Sequence, residues 1–373
     1  MTAPLRVGLL FGGRSVEHEV SVDSARSVAQ ALREAGLSCV PIGVTGRGRW
    51  LSPALSQKLL DSGSRRAEPA PEADDGASVM IEPGAGRLLE QVAGGVPRAV
   101  PLDVVFPLIH GWGGEDGRLQ GALDVAGIPF VGAGVCGSAL GMDKVLARQL
   151  CDAQGLPSVR WMWFEAPAYD SGPSRIHDRI AAELGFPVFV KPANGGSSVG
   201  VSRVTRAAGL PPAIREALEC DGKVVVEQGV DAREIECAVM GNERPEASGL
   251  GEIVPSREFY DYAAKYLDGT SELKIPAPLE PDTARAIQAH ARAAFRCLGL
   301  SGLARVDFLL ERDLGRVYLN EVNTLPGFTS ISMFPKLWEA AGLSYPRLVA
   351  RLVDLALERA RSEQMRRTVR AAG

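Results

Sequence analysis

The stretch LARVDFLLERDLGRVYLNEVNTLPGFTS, Leu303 to Ser330, reads as a β-hairpin carrying polar groups where a buried strand pair would be apolar. Its arms, ARVDFLLE and RVYLNEVN, alternate and are rich in Val, Leu and aromatics, with Asp313-Leu314-Gly315 between them. A three-residue loop ending in Gly suits the hairpin turn whose last position needs positive φ. Pairing then runs symmetrically about Leu314, so Asp307 faces Glu321 and Arg305 faces Asn323. Period-two alternation puts all four on one face at the open end of the hairpin. Opposed carboxylates repel unless a cation or a proton lies between them. Oxygen donors from Asp, Glu and Asn suit Mg²⁺, which completes its shell with phosphate and water. A solvated strand face with an Arg305 salt bridge to Asp307 or Glu321 accounts for the same residues, and the hairpin alone leaves both open.

At 373 residues the chain is long enough for two or three domains with their own cores. A hydrophobic fraction of 46% and a charged fraction of 23% are those of an ordinary globular protein. The formal net charge of −4 gives no global electrostatic case for nucleic acid or an anionic membrane as partner. Cys39, Cys136, Cys151, Cys220, Cys237 and Cys297 are scattered, with no CxxC and no Cys/His cluster, which fits reduced thiols rather than a disulfide frame or zinc site. The N-terminus runs straight into a strand without a signal-peptide pattern, and no apolar run approaches membrane-spanning length. The expectation is a cytoplasmic protein.

Leu5 to Phe11 is a continuous apolar run of the kind a buried parallel strand shows. Gly12-Gly13 turns the chain, and Val22, Ala25, Val28, Ala29 and Leu32 then recur at helical spacing, with Ser21 as predicted N-cap and Gly36 as stop. This is not GxGxxG, so a dinucleotide-binding dehydrogenase is disfavoured. Glu17, His18 and Glu19 lie at the carboxyl edge of the sheet, where α/β folds bind ligands, although a solvated loop fits equally. A second apolar strand, Leu102 to Ile109, ends at His110, and a Gly-rich loop whose amides could bind a carboxylate leads into a helix at Leu119 to Val125. Residues 141–157 read as a helix opening at Asp143-Lys144 and stopped by Gly155. Within 186–204, a strand bearing Lys191 meets the small-residue loop Asn194 to Ser198, either a phosphate cradle or a flexible turn; the spacing is not that of a P-loop. The strand Lys223 to Glu227 ends in a polar turn with Glu234 close by. Residues 251–279 hold Tyr260, Tyr262, Tyr266 and Lys265 in a long, weakly periodic stretch that reads as a lid. Asp61 to Gly95 reads as loops and short strands, and the basic end of the chain as a solvated helix.

Taken in order, GGRSVEHEVS (12–21), HGWGGEDGRLQG (110–121), MDK (142–144), VKPANGGSSVGV (190–201), EFYDYAAKY (258–266), RVDF (305–308) and NEVNTLPGFTS (320–330) make the chain similar to the ATP-grasp carboxylate–amine ligases, and among them to the branch that joins two D-alanines for peptidoglycan precursor synthesis. The resemblance implies an α/β (α+β) architecture, an ATP-grasp fold preceded by a Rossmann-like N-terminal α/β domain. The expected parts are 1–140, a small central subdomain 141–229 with the phosphate loop, and a catalytic domain 230–373 with the lid 251–279. It further implies ATP as co-substrate, two Mg²⁺ (or Mn²⁺) ions, a homodimer, and no nucleic-acid or membrane partner.

By the same resemblance, Asp307, Glu321 and Asn323 hold the metals. Lys144, Lys191 and the loop Gly196-Ser197-Ser198 hold the phosphates, with Lys265 reaching the γ-phosphate and Phe259 and Asn320 flanking the nucleotide. Glu227, Gln228 and Val230 border the adenine, and Glu234 the ribose; relatives often carry Lys where this chain has Gln228. Glu17 pairs the first substrate's ammonium and locks the site with Ser197 and Tyr266, while His110 lies near the first carboxylate and Ser332 and Met333 near the second substrate. Arg305 and the Gly327 amide stabilise the oxyanion. The FYDY–KY lid is like that of peptide-forming relatives. An ester-forming D-alanine–D-lactate ligase and a catalytically silent ATP-binding protein are the alternatives.

Overall fold

The computed structural model describes residues 3–68, 76–91, 95–254 and 272–371. The two N-terminal apolar runs become neighbouring parallel strands, Arg6–Gly12 and Val104–Pro107, with Ser38–Val44 on the other side of the first strand. The helix His18–Glu34 packs on this sheet through Val22, Ala25, Val28, Ala29 and Leu32, and Gly36 follows it in the left-handed region at φ 74°. Ser21 is not the cap. The helix starts three residues earlier, and the Ser21 hydroxyl is buried, accepting from the Gly12 amide and donating to the Leu108 carbonyl. It thereby fastens the glycine turn to the second strand. A small antiparallel sheet, Ser78–Glu82, Arg87–Gln91 and Arg98–Val100, fills part of the stretch expected to hold short strands.

Two antiparallel sheets follow. The first has the order Trp161–Glu165, Lys223–Gln228, Val188–Pro192, Ser202–Val204, and the helices Pro173–Glu183 and Leu210–Cys220 share its core. The second has the order Glu272–Lys274, Glu246–Val254, Ala232–Gly241, Gly302–Glu311, Val317–Asn323.

Alternation along this second sheet explains how it serves two purposes. Ala304, Val306, Phe308 and Leu310 point to the helix Pro281–Cys297, as do Ile235, Cys237 and Val239 from the neighbouring strand. On the opposite face, Leu303, Ala238 and Met240 join the core of the N-terminal sheet and the long helix Tyr345–Ala371. One residue pair further along that same face stand Arg305, Asp307 and Glu236. The face is therefore apolar where it joins that shared core and ionic beyond it.

Candidate active site

The hairpin Gly302–Glu311/Val317–Asn323 pairs Asp307 with Glu321 and Arg305 with Asn323, as the sequence predicts. The route to that register differs. Beyond Asp307 the pairing shifts by one, to Phe308 with Leu319 and Leu310 with Val317. Glu311 bonds to the Arg316 carbonyl, so the turn spans Arg312 to Gly315, one residue more than expected. A bulge at Asn320 absorbs the extra residue and restores the facing pairs at the open end.

Here Arg305 binds Asp307 through Nε and Nη2 at 2.8 and 2.7 Å, and its Nε lies 3.0 Å from Glu236 Oε2. Asn323 Nδ2 donates to Asp307 Oδ2 at 2.9 Å. Burial works against the Arg305 charge, yet Asp307, Glu236 and Glu321 together hold it well above the ordinary guanidinium range. The salt-bridge reading of the hairpin is thus realised, between Arg305 and Asp307. Sequence reasoning missed Glu236. Only the cross-strand register, which sets it beside Asp307, brings it in.

The donor chemistry also fits a hard cation. Among the described residues no cluster of three His, Cys, Asp or Glu side chains gathers to hold a metal. The hairpin offers instead two facing carboxylates and a neighbouring amide, a set that suits Mg²⁺ carrying phosphate oxygens.

The loop 194–198 is held at three points. Asn194 donates to Asp221 Oδ2 through its backbone and side-chain nitrogens, at 2.7 and 2.8 Å. Lys144 Nζ donates to the Gly195 carbonyl at 2.7 Å. Ser197 Oγ donates to Glu17 Oε1 at 2.5 Å, across 180 residues of sequence. Ser197 and Ser198 take φ of 51° and 59°, left-handed values that non-glycine residues seldom adopt, and a Cβ on Gly196 would come 3.2 Å from Glu17 Oε2. The helix bearing Lys144, Lys144–Ala153, is capped by Asp143, which accepts from the amides of Val145 and Leu146 and pairs with Lys223. Gly155 lies just beyond its end at φ 73°.

Of the three polar residues after the glycine turn, only Glu17 turns to this loop. His18 is spent on the Gly13 carbonyl and the Ala67 amide, and Glu19 pairs with Arg65 and Arg66. His110 is buried, with Nδ1 3.0 Å from the Leu325 carbonyl, and burial lowers its pKa despite Glu17 nearby. The Gly-rich loop after it does present amides to carboxylates, but to its own: Gly111 donates to Glu115 at 2.8 Å and Gly113 to Asp116 at 2.7 Å.

On the strand Lys223–Gln228, Glu227 is buried between Lys191, 2.7 Å from Oε2, and Arg148, 2.8 Å from Oε1. Burial alone would raise this carboxyl, but Arg148 and Lys191 hold it below the usual range. Gln228 accepts from Arg160 at 3.1 Å. Glu234 lies on the ionic face of the second sheet, between Leu309 and Ile253, and Val230 in the turn before it. The Asn320 carbonyl accepts from Arg148. Ser332 Oγ accepts from the Thr329 amide and lies against Gly327, while the Met333 side chain is buried against Gly251. Phe259, Lys265 and Tyr266, with Tyr260 and Tyr262, lie outside the described residues.

A three-strand parallel unit followed by two antiparallel sheets, the first carrying a pinned small-residue loop and the second an acidic hairpin, is the architecture of an ATP-grasp protein. The family models D-ala D-ala ligase N-terminus and D-ala D-ala ligase C-terminus match residues 6–133 and 150–354. The D-alanine–D-alanine ligase A of Chromobacterium violaceum is 48% identical over 369 residues, 96% of this chain and 97% of its own. The D-alanine–D-alanine ligase of Acetivibrio thermocellus is 43% identical over 364 residues, 95% of this chain and 96% of its own. The solved D-alanine–D-alanine ligase of Coxiella burnetii superposes with a TM-score of 0.82 at 33% identity, covering 100% of both chains. The VanG D-Ala:D-Ser ligase of Enterococcus faecalis gives 0.80 at 33% identity, covering 95% of this chain and 99% of its own. The chain belongs to the D-alanine–D-alanine ligase family.

Proposed function

We propose that this protein joins two molecules of D-alanine, converting ATP to ADP and phosphate, and so makes a peptidoglycan precursor in the cytoplasm, as a homodimer. The observation that carries the reading is the Ser197–Glu17 bond, which draws the phosphate loop of the central sheet onto the N-terminal carboxylate suited to a substrate ammonium. One pocket thereby handles both an amino acid and a polyphosphate.

A carboxylate is a poor electrophile at neutral pH. Transfer of the γ-phosphoryl group to the first D-alanine's carboxylate gives an acyl phosphate and ADP, a step that needs positioning and charge neutralisation. Lys144, Lys191, the amides of 196–198 and the outlying Lys265 supply these. Asp307, Glu321 and Asn323 would hold two Mg²⁺ (or Mn²⁺) ions, which supply neutralisation of the phosphate charge when bound. Glu17 fixes the ammonium of the first D-alanine, with His110 near its carboxylate. The second amine attacks the acyl carbon, the tetrahedral oxyanion meets Arg305 and the Gly327 amide, and phosphate leaves as the peptide bond forms. One such donor is typically worth about 3 kcal/mol. Ser332 and Met333 border the second substrate. Glu227, Gln228, Val230, Glu234, Phe259 and Asn320 surround the nucleoside, and Tyr266 closes over Glu17 and Ser197, keeping water from the acyl phosphate.

The test is an assay of purified protein with ATP and D-alanine, alone and with competing D-lactate or D-serine, near neutral pH. Phosphate release dependent on D-alanine, with the dipeptide as main product by mass spectrometry, is expected. Predominant ester or D-alanyl-D-serine would overturn the substrate assignment, and phosphate release indifferent to D-alanine would overturn ligation itself.

A further inference from the structure

Arg148 has no part in the chemistry described above, yet it occupies the junction of three elements. It projects from the helix Lys144–Ala153, and its side chain and that of Glu227 are each 5% exposed. Its Nη2 donates to the Asn320 carbonyl at 2.8 Å, at the bulge that sets the register of the acidic hairpin. The same Nη2 lies 2.8 Å from Glu227 Oε1, and its guanidinium carbon is 5.8 Å from the centre of the Trp161 ring. The aligned hydrogen bond goes to the carbonyl. The contact with Glu227 is an ion pair in which Oε1 lies off the N–H direction, so it is held by charge rather than by a fork.

Glu227 therefore touches two cations, with the charge of Lys144 felt beyond them, and the two are not equivalent. Lys191, on Oε2, comes from the strand that leads directly into the phosphate loop. Its long, singly charged side chain can leave for another anion. Arg148 is pinned by the Asn320 carbonyl and cannot follow. If Lys191 were the sole partner, every approach of Lys191 to a phosphate would strand a buried carboxylate, which is expensive.

We infer that Arg148 is a positioning residue that keeps Glu227 compensated and thereby releases Lys191 to the phosphates of the nucleotide. This rests on the ATP-dependent reading above and goes beyond it, because it assigns a function to a side chain that has no role there. It also gives a reason for the surplus positive charge around one acid.

The experiment measures steady-state kinetics with ATP varied at saturating D-alanine and D-alanine varied at saturating ATP. The proteins are wild type, Arg148→Met, Arg148→Lys, Glu227→Gln and the double variant Arg148→Met/Glu227→Gln. Loss of Arg148 is expected to raise KM for ATP about tenfold or more while KM for D-alanine stays within about twofold, and Arg148→Lys, which retains the charge, recovers most of the loss. In the Glu227→Gln background the same substitution adds less than about threefold, because a neutral side chain no longer holds Lys191 back. A KM for ATP within twofold of wild type in Arg148→Met, or an equal penalty in both backgrounds, overturns the inference. Should Arg148→Met fail to fold, Arg148→Gln makes the same comparison. Wild-type protein with no ATP-dependent peptide formation would instead bring down the ligase reading, and the inference with it.

Discussion

Glu17 and Glu115 approach Gly111 from two sides. The Gly111 amide donates to Glu115, and a Cβ on Gly111 would come 3.0 Å from Glu17 Oε2. Burial first, and the neighbouring Glu17 second, push the Glu115 carboxyl from an ordinary 4.5 up to about 8. Between those two values the folded chain binds more protons than the unfolded one, so stability from this group is full at low pH and declines as pH rises toward 8. Thermal melts from about pH 5 to about pH 8.5 are expected to show a shallower decline for Glu115→Gln than for wild type; parallel curves would remove Glu115 from this account. Arg305→Ala is expected to lower kcat by about two orders of magnitude or more, and Arg305→Lys separates the missing donor from the effect of baring Asp307 and Glu236. Near-normal turnover in Arg305→Ala refutes the oxyanion role. Asp307, Glu321 and Glu17 were legible as chemistry because they interrupt apolar patterns or follow a glycine turn. Glu236, Arg148 and Glu115 were not. Glu236 sits in an ordinary alternating strand, and its neighbour Asp307 lies some seventy residues away in sequence, across a sheet order that no local pattern encodes.

The elements that carry these residues follow from capping, glycine and alternation, and these are the features a sequence displays best. The helix Lys144–Ala153 begins and ends where Asp143 and Gly155 say it should. Asp143→Ala is expected to destabilise the protein by about 1–2 kcal/mol in urea denaturation, with Asp143→Asn recovering the part due to the cap. The same change should raise KM for ATP, since Lys144 opens that helix; an unchanged KM would separate the helix start from the nucleotide. Legibility ended where two irregularities compensate. The turn at Arg312 to Gly315 and the bulge at Asn320 each shift the hairpin by one residue, in opposite senses, so the facing pairs come out as a simple loop would give them. The first helix shows the converse. A buried Ser21 resembles a cap in sequence, but its hydroxyl is needed between Gly12 and Leu108.

Across the whole molecule, the N-terminal sheet, the apolar end of the second antiparallel sheet and the long C-terminal helix share one core, with Phe106 edge-on to Phe328 at a centroid distance of 5.5 Å. Arg359 fastens the same parts from within that helix. It donates to the carbonyls of Gly132 and Phe130 and to Ser301, and its guanidinium stands 4.6 Å from the centre of the Phe130 ring. Arg359→Met takes its donor from the buried Phe130 carbonyl and leaves Gly132 only the long 3.4 Å bond from Ser301, and is expected to cost about 2 kcal/mol or more, read as a lower urea midpoint. Calorimetry should give one transition spanning the N-terminal part and the acidic hairpin, and two well-separated peaks would contradict the common core. This continuity could not be read from the sequence, since the same Leu, Val and Phe would serve separate cores equally well. It bears on how the polypeptide can be divided. The two family segments end and begin on either side of 134–149, an inviting place to sever the gene. Each fragment made that way would bare oily surface that in the intact chain is covered by the other, so the halves should precipitate when produced alone and regain solubility only when synthesised together.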